Sequence, residues 1–345
     1  MPLGMERKLK AGIIGYGLAG RYFHAPNLIA AGFEVAAICA RSIEKKGAAH
    51  DDFPSAIIVS SIEELVEEDL DLIVVASTND VHADHAKAAI DSAIPVVVDK
   101  PMARDYDETR ELFDYADSRN VPITVFFNRL WDSDTLTIKR ILSENEIGDP
   151  IRFESRFERF RPELNPNAWR ESSDEGAGGG LLLDLQTHLV STALALFGSG
   201  SVVHSSVRSI RGGANDDVTI TLRHDSGVDS YLSASAVIGA PGPRIRMNCR
   251  NGSLIIKDLD GQEALLRKGY QPTKDGWPNP EDVTTQARIY KGDDSYSPHA
   301  LPGNYVTFYR NVDRAIREGA PMPITREFAL EVAYILDQAK ELSSR

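Results

Sequence analysis

The sequence is poor in cysteine, in long apolar runs and in positive charge. Its 345 residues include only Cys39 and Cys249, without the spacing of a paired-cysteine metal site, so we expect two buried free thiols. No apolar run is long enough to span a bilayer, and we expect a cytoplasmic protein. The net charge of −13 argues against nucleic acid or an anionic membrane as partner, because both require a basic surface.

The length and the order of predicted elements indicate two domains, residues 1–127 and 128–345. In the first, short apolar strands alternate with helices, which predicts a Rossmann-type doubly wound parallel sheet with ligands at the carboxyl ends of its strands. In the second, strands follow one another directly, which predicts an α+β domain with a large, mostly antiparallel open sheet. Burial of that sheet's open face would give a homodimer or homotetramer. Residues 258–302 are predicted to be irregular and to form a lid or a subunit contact.

A glycine-rich turn between two predicted strands is the first candidate site. The apolar run Ala11–Ile14 leads into it, and a helix and a second apolar run, Val35–Cys39, follow. In that context a G-x-G-x-x-G turn lets the backbone approach a pyrophosphate, which the helix N-terminus attracts; the alternative is an ordinary glycine turn. We expect the turn to bind a dinucleotide through Gly15, Tyr16, Gly17, Leu18, Ala19 and Gly20.

The end of the second strand favours NADP over NAD. An NAD site places an acid about 20 residues after the glycines, to bind the ribose 2′-hydroxyl. This chain has Cys39-Ala40-Arg41-Ser42 there. Arg41 could hold a 2′-phosphate bidentately and Ser42 could donate to it. The alternative is that Arg41 is a solvated loop residue and that either cofactor fits.

Polar residues follow other predicted strands of the first domain. Ser77, Thr78 and Asn79 come directly after Leu70–Ala76, where they either cap the next helix or contact the cofactor. We place His82 and Asn128 with them at the cofactor site. We expect no metal, because His82 and His85 have no third ligand nearby in the sequence.

Lys100 stands at the tip of the predicted strand that ends in Asp99-Lys100-Pro101. Pro101 biases Lys100 towards an extended conformation, so its side chain leaves the strand on a fixed path. A lone lysine is ordinarily solvated. At the ligand edge of a dinucleotide-binding sheet, however, its ammonium could contact the cofactor or bind a substrate oxygen and stabilise the negative charge that develops during hydride transfer.

Asp184 and His188 lie four residues apart in an otherwise apolar helix that follows three glycines, 178–180. We interpret them as a catalytic pair that also contacts substrate, in which Asp184 orients the imidazole and His188 relays the proton of a substrate hydroxyl. The alternative is a buried polar pair with a structural role. The residues in or next to the preceding loop are candidates for substrate recognition: Phe160, Arg161, Trp169 and Arg170.

Taken in order, these motifs resemble the glucose–fructose oxidoreductase/inositol dehydrogenase (Gfo/Idh/MocA) family over nearly the whole chain. The motifs are GYGLAG at 15–20, STNDVH at 77–82, DKP at 99–101, GGGLLLDLQTHL at 178–189 and GNYVTFYRNVDRAI at 303–316. The segments GRYFHAP, FNRLWDSD and APGPRIRMNCRNGS are similar to the branch that contains NADP-dependent scyllo-inositol dehydrogenases. The resemblance implies NAD(P)-dependent oxidation of a sugar, polyol or inositol hydroxyl, or the reverse reduction, with Lys100, Asp184 and His188 as the catalytic set.

The chain departs from the family pattern at three positions. Asp99 stands where the family has glutamate, Leu130 where the branch has a second arginine, and Ser191 where an acid often follows the catalytic histidine. The last two changes would reshape the substrate pocket, so the resemblance leaves the substrate open. Two other functions remain as alternatives: a non-catalytic nucleotide sensor with the same fold, and a reductase of an imine or a conjugated substrate.

Overall fold

Two β-sheets organise the chain, a parallel sheet of six strands and a mixed sheet of eight. The computed structural model describes residues 7–165, 169–171 and 178–344, without the side chain of Trp169. Both sheets contribute to one continuous apolar core. Cys39 and Cys249 are buried free thiols, as expected. Within the described ranges, no helix combines the length and the apolar character needed to cross a membrane.

The parallel sheet has the strand order β3-β2-β1-β4-β5-β6. All its strands run in the same direction, and β4 is buried at every position, as expected of a sheet covered on both faces. The order reverses between β1 and β4, where an open α/β sheet forms its ligand crevice. The strands are β1 Lys10–Ile14, β2 Glu34–Cys39, β3 Ile57–Val59, β4 Leu72–Val75, β5 Val96–Asp99 and β6 Ile123–Phe126.

Helices connect these strands, and several begin at a residue whose side chain accepts a backbone N–H. Ser42, Ser61 and Asp105 cap α2, α3 and α5 in this way, which satisfies an N–H that the first helical turn leaves without a partner. The α-helices are α1 Ala25–Ala30, α2 Ile43–Asp52, α3 Ile62–Val66, α4 His82–Asp91 and α5 Tyr106–Arg119. A π-helical segment, Ala19–His24, precedes α1, and a 3₁₀ turn, Asn79–Val81, precedes α4.

The mixed sheet has the order β14-β13-β12-β11-β7-β10-β9-β8, and only β7 and β10 pair in parallel among its described strands. Alternating burial in β9 and β10 shows one face packed on the core and one facing outward. The strands are β7 Pro150–Glu158, β8 Gly200–Arg208, β9 Asp217–His224, β10 Asp229–Ser235, β11 Ile245–Cys249, β12 Gly252–Ile256, β13 Ala287–Lys291 and β14 Asp294–Tyr296.

The prediction that residues 258–302 are irregular is wrong in part. The segment contains a short helix and a 3₁₀ turn, Pro280–Val283, and two strands that extend the mixed sheet from β12. Ala287 and Ile289 of β13 are buried, while Arg288 and Tyr290, which alternate with them, are exposed. The segment therefore completes one end of the sheet, and its packing is decided by pairing with β12 rather than by its own composition.

Helices that follow β6 join the mixed sheet to the parallel sheet. Thr325 caps the last helix, which packs against β8, α5 and α7. Phe126 at the end of β6 contacts Phe308 of α9 with ring centroids 4.8 Å apart, and Tyr309 Oη lies 2.5 Å from His24 Nδ1. The helices are α6 Ser133–Ser143, α7 Thr187–Phe197, α8 Gln262–Arg267, α9 Val306–Glu318 and α10 Arg326–Ser343.

Candidate active site

A cavity of about 690 Å³ lies between the carboxyl ends of the parallel strands and the mixed sheet. Leu18 and Ala19 of the glycine turn, Lys100 and Asn128 line it on one side, while Asp184, Leu185 and His188 line it on the other. Residues that are 84 positions apart in sequence thus share one cavity. Its size is that of a small-molecule or cofactor site, which commonly occupies a few hundred cubic ångströms.

Two of the three glycines in the turn have no room for a side chain. Gly15 has φ +91°, and a Cβ there would stand 2.6 Å from the Ala76 carbonyl oxygen. A Cβ on Gly20 would overlap the Gly15 carbonyl oxygen. Gly17 is open instead, with Lys45 Nζ 3.8 Å from the Cβ position as its nearest neighbour. This arrangement fits a pyrophosphate at Gly17, with the lysine ammonium beside it.

Tyr16 belongs to the turn, but its side chain points away from the cavity. It is buried, and its hydroxyl donates to Asp52 Oδ2 at 2.8 Å, where Arg21 Nε also donates at 2.7 Å. Arg41 is exposed after β2, in keeping with either of its two interpretations. Ser42 Oγ accepts the Lys45 N–H at 3.3 Å and so caps α2. Lys45, on the first turn of that helix, was not predicted, although its position after Arg41-Ser42 offered a signal.

The residues after β4 have mainly structural contacts. Ser77 Oγ lies 2.9 Å from His85 Nδ1, and Thr78 precedes the 3₁₀ turn without a side-chain capping bond. Asn79 Nδ2 donates to the Gly178 carbonyl oxygen at 2.9 Å, which brings the loop after β4 against the glycines that precede Asp184 and His188. His82 is buried, with its ring nitrogens 2.8 Å from the Pro101 carbonyl oxygen and 3.1 Å from that of Ser77.

Lys100 and Asp184 form an ion pair across the cavity. Lys100 Nζ donates to Asp184 Oδ1 at 2.7 Å and to the Asp184 carbonyl oxygen at 2.9 Å. An ammonium has three donors, so one is left for another acceptor. Burial opposes the ionisation of Asp184, but the charges of Lys100 and Arg170 outweigh it and lower the pKa of Asp184. The carboxylate is therefore ionised at neutral pH.

The backbone around Asp184 is a π-helical segment, Leu182–Gln186, that continues into α7. Its wider i→i+5 turn changes the angular spacing that an α-helix would give to positions 184 and 188. Among the described residues, Asp184 is hydrogen-bonded to Lys100, and His188 Nδ1 has no hydrogen-bond partner. Among the described residues, no hydrogen bond between the Asp184 carboxylate and the His188 imidazole therefore supports the expectation that Asp184 orients the ring.

His188 is buried in the cavity wall, 6% exposed, among cations. Burial and the charges of Lys100, Arg129 and Arg244 lower the pKa of His188 well below its usual range. The imidazole is therefore neutral at physiological pH and able to accept a proton. Its ring centroid lies 6.1 Å from that of Phe157, which is the aromatic side chain of β7 closest to the cavity.

Of the four loop residues predicted to recognise the substrate, two line the cavity. Arg161 and Arg170 line the cavity, and Arg170 Nε lies 3.7 Å from Asp184 Oδ1. Phe160 is 62% exposed and is not among the residues lining the cavity. Trp169 begins a short 3₁₀ turn, Trp169–Glu171, and its side chain lies outside the described part of the chain.

Sequence reasoning missed two buried arginines in the cavity wall. Arg129 stacks over the Phe157 ring at 5.7 Å and hydrogen-bonds Tyr305 Oη at 3.1 Å. Arg244 lies over the same ring at 3.9 Å and donates to Ser155 Oγ at 2.6 Å. The period-2 alternation of β7 places Phe157 on the face of buried Ser155, which was an available signal for the ring. The positions of the two arginines could not be predicted in this way, because they are fixed by contacts with segments that are distant in sequence.

Two family models match the chain. One, described as an oxidoreductase family with an NAD-binding Rossmann fold, matches residues 9–127, and the GFO/IDH/MocA C-terminal domain matches residues 135–255. A Bacillus subtilis relative, the NADP-dependent scyllo-inositol 2-dehydrogenase IolW, is 33% identical over 97% of this chain and 94% of its own. The D-xylose 1-dehydrogenase (NADP⁺) 2 of Haloferax volcanii is 27% identical over 65% of this chain and 68% of its own.

Solved structures give the same result for the fold. The Bacillus subtilis protein yvaA superimposes with a TM-score of 0.87 at 33% identity and covers 98% of both chains. The Yersinia pestis protein YPO2259 has a TM-score of 0.88 at 31% identity and covers 99% of this chain and 96% of its own. The prediction of a Rossmann-type parallel sheet followed by a large, mostly antiparallel sheet is therefore confirmed.

Proposed function

Because the chain belongs to the Gfo/Idh/MocA family of NAD(P)-dependent oxidoreductases, we propose that it is a dehydrogenase of a sugar, polyol or inositol hydroxyl that prefers NADP to NAD. The observation that carries this proposal is the cavity in which Lys100, from the parallel sheet, meets Asp184 and His188, from the catalytic helix. The NADP-dependent inositol and xylose dehydrogenases among its relatives support the same class of substrate.

The residues around the glycine turn fit a bound dinucleotide. Gly17 leaves open space where a pyrophosphate would approach the backbone, and Lys45 lies beside it. Arg41 would hold the 2′-phosphate of NADP, and Leu18, Ala19 and Asn128 line the cavity between this turn and the catalytic residues. When bound, the cofactor supplies a nicotinamide ring that accepts a hydride from the substrate carbon, or returns one to it.

The chain's own residues would manage the proton and the charge on the substrate oxygen. His188 is neutral and lines the cavity, so it accepts the hydroxyl proton during oxidation and, once protonated, donates it during reduction. Lys100 has one donor left after its two bonds to Asp184, and this donor stabilises negative charge on the same oxygen. Asp184 acts as a positioning residue that fixes the lysine.

A screen of cofactor reduction tests the proposal. The protein is incubated with inositol isomers, aldoses and alditols, with NADP and NAD in parallel, and absorbance of the reduced nicotinamide is followed. We expect turnover with at least one polyol or sugar and a higher kcat/KM with NADP. Turnover that survives in the His188→Ala variant would point to the reduction of an imine or a conjugated bond. Tight NADPH binding without any turnover would point to a sensor.

We also propose that a second copy packs on the outward face of the mixed sheet and forms a homodimer or homotetramer. Tyr231 of β10 and Tyr290 of β13 are 39% and 36% exposed on that face, and Arg152 stacks on Tyr231 at 5.3 Å. Aromatic residues and arginine are enriched in protein interfaces. Light scattering should give a mass of two or four chains, and a Tyr231→Glu/Tyr290→Glu variant should lower it. A monomeric wild-type protein would contradict the proposal.

A further inference from the structure

The cavity wall is basic although the chain as a whole is acidic. Among the described residues that line the cavity, ten are lysine or arginine and six are aspartate or glutamate, whereas the whole chain carries a net charge of −13. Charges that line a cleft with low-dielectric walls focus their field into it and attract ligands of opposite sign. Neutral sugars gain nothing from such a field, so the charge distribution favours an anionic ligand.

Several of these cations form ion pairs with acidic side chains of the protein itself. Arg129 contacts Glu263, and it also lies 3.3 Å from Asp132 Oδ2. Arg211 Nε lies 2.8 Å from Asp216 Oδ2, and both of these side chains are buried. These ion pairs hold the cavity wall in place. Because their charges are compensated, they contribute less to the recognition of a ligand.

Arg159 differs from these arginines because its guanidinium has no such partner in the part of the chain that the structure describes. It follows the last residue of β7 on the side of the strand that carries Phe157, and it lines the cavity. Among the described residues, no acidic side chain lies within 4.0 Å of its guanidinium. Burial and the neighbouring charge of Arg161 lower the pKa of Arg159 and outweigh the opposite effect of the carboxylates of Asp184, Glu171 and Glu263. A partly buried cation without a counter-ion is costly, and a ligand anion would offset that cost.

Two further cations accompany Arg159 in the cavity wall. Arg161 and Lys257 are both exposed, and neither side chain forms an ion pair or a hydrogen bond within the described ranges. The charge of Arg159 also acts on Asp184, where it lowers the pKa of the carboxyl. Cations without an ion-pair partner among the described residues therefore line the wall that the mixed sheet provides, within electrostatic range of the Lys100–Asp184 pair.

We propose that the substrate of this dehydrogenase carries an anionic group, a carboxylate or a phosphate, that Arg159 binds with the help of Arg161 and Lys257. The hydroxyl to be oxidised would then lie beside Lys100 and His188. This inference rests on the proposed function, which it narrows from sugars and polyols in general to sugar acids or sugar phosphates. A guanidinium suits both anions, since each accepts two parallel N–H bonds from it.

Equilibrium binding tests the inference without depending on turnover. Isothermal titration calorimetry on the NADPH-saturated protein, in which the cofactor cannot accept a hydride, compares glucose with glucuronate and glucose 6-phosphate, and myo-inositol with an inositol monophosphate. We expect at least one acid to bind tenfold or more tightly than its neutral counterpart, on the order of one charge-assisted hydrogen bond, and added salt to reduce this difference. The carboxylate and phosphate arms identify which anion the site takes.

Variants assign the effect to the arginine. Arg159→Gln should remove the preference for the acid, by about tenfold, and Arg159→Lys should retain part of it, because the charge remains while bidentate geometry is lost. Arg314→Gln is the matched control, since Arg314 is 62% exposed on α9, pairs with Glu318 and is not among the residues that line the cavity. Circular dichroism verifies that each variant is folded.

The outcomes separate this inference from the proposed function. It is overturned if no acid binds more tightly than its neutral counterpart, or if Arg159→Gln weakens neutral and acidic ligands equally. It is also overturned if Arg159→Gln weakens NADP itself, because the charge would then serve the cofactor. Turnover of neutral polyols without any preference for acids would support the dehydrogenase activity and contradict the anion-binding site. Tight binding of an acid without hydride transfer would support the anion-binding site and contradict the dehydrogenase activity.

Discussion

Lys100 Nζ lies 2.7 Å from Asp184 Oδ1, and this ion pair joins the tip of β5 to the π-helical turn before α7. Both side chains are largely buried, with 14% and 23% of their surfaces exposed. The same ammonium lowers the pKa of Asp184 and of His188. The three catalytic candidates are therefore coupled electrostatically, although the imidazole has no hydrogen bond to the carboxylate among the described residues.

A double-mutant cycle on this pair should show strong coupling. Lys100→Met leaves the Asp184 carboxylate with the more distant cations Arg170 and Arg159, so we expect a loss of about 1–3 kcal/mol in the free energy of unfolding. Asp184→Asn should cost a similar amount, and the double variant less than the sum, by about 0.5–3 kcal/mol. Guanidinium chloride unfolding at pH 7 measures all four proteins.

The exposed ion pair Lys10–Asp69 serves as a control for that cycle. Its N–O distance is 2.9 Å, close to that of the buried pair, but Asp69 is 88% exposed. Solvent screens such a pair, so the same cycle on Lys10→Met and Asp69→Asn should give much weaker coupling. Equal coupling in the two cycles would mean that burial does not strengthen the Lys100–Asp184 interaction.

Alanine substitutions should have opposite effects on stability at a glycine of the dinucleotide turn and at a glycine within a helix. Gly15→Ala introduces a Cβ 2.6 Å from the Ala76 carbonyl oxygen at φ +91°, so we expect a loss of about 1–3 kcal/mol in unfolding free energy and weaker NADPH binding. Gly47→Ala, within α2 and with nothing within 4 Å of the new Cβ, should instead stabilise by about 0.5–1 kcal/mol. Thermal unfolding and NADPH fluorescence titration measure both. If Gly15→Ala were as stable as the wild type, the described turn would be wrong.

Arg41→Ala should change cofactor preference rather than cofactor binding in general. The guanidinium can form charge-assisted bonds only with the 2′-phosphate, which NADH lacks, so we expect NADPH to bind about tenfold or more weakly and NADH to be unaffected. Fluorescence titration of both reduced cofactors gives the dissociation constants. Arg110→Ala, on the surface of α5, controls for a general loss of positive charge. Equal weakening of both cofactors would remove the argument for NADP.

The parallel sheet and the glycine turn were predictable because their signals are local. A run such as Leu72–Val75, apolar at every position, specifies a strand covered on both faces, and a glycine turn between two such runs leaves little choice of backbone. Strands β13 and β14 were missed because short edge strands with alternating exposed residues resemble loops in sequence. β13 pairs with β12, which lies far away along the chain, and β14 pairs in turn with β13.

The catalytic candidates were predicted from sequence, but their contacts were not. The spacing of Asp184 and His188 suggests contact only if the helix has 3.6 residues per turn, and the π-helical segment changes that geometry. The partner of Asp184 is Lys100, which no helical periodicity could indicate. Arg129 and Arg159 line the cavity for the same non-local reason, since their roles depend on which charges the fold brings near them.

His188 should control both the rate of oxidation and its dependence on pH. His188→Gln removes the proton acceptor, so we expect kcat to fall by roughly 10²–10⁴ while the dissociation constant for NADPH stays unchanged. His204→Gln, on an exposed position of β8, is the control and should leave kcat unaffected. A drop in NADPH affinity that accounts for the lost rate would assign His188 to the cofactor site instead.

The pH dependence of oxidation follows from the direction in which the pKa of His188 is shifted. Only the neutral imidazole accepts a proton, and burial with the charges of Lys100, Arg129 and Arg244 lowers the pKa of His188 well below its usual range. The kcat/KM for oxidation should therefore stay level across neutral pH and fall only in more acidic solution than an ordinary histidine would require. Lys100→Met removes one of these charges, so the fall should begin at higher pH in that variant. A shift towards lower pH would mean that another group sets the profile, since loss of a nearby cation can only make the imidazole easier to protonate.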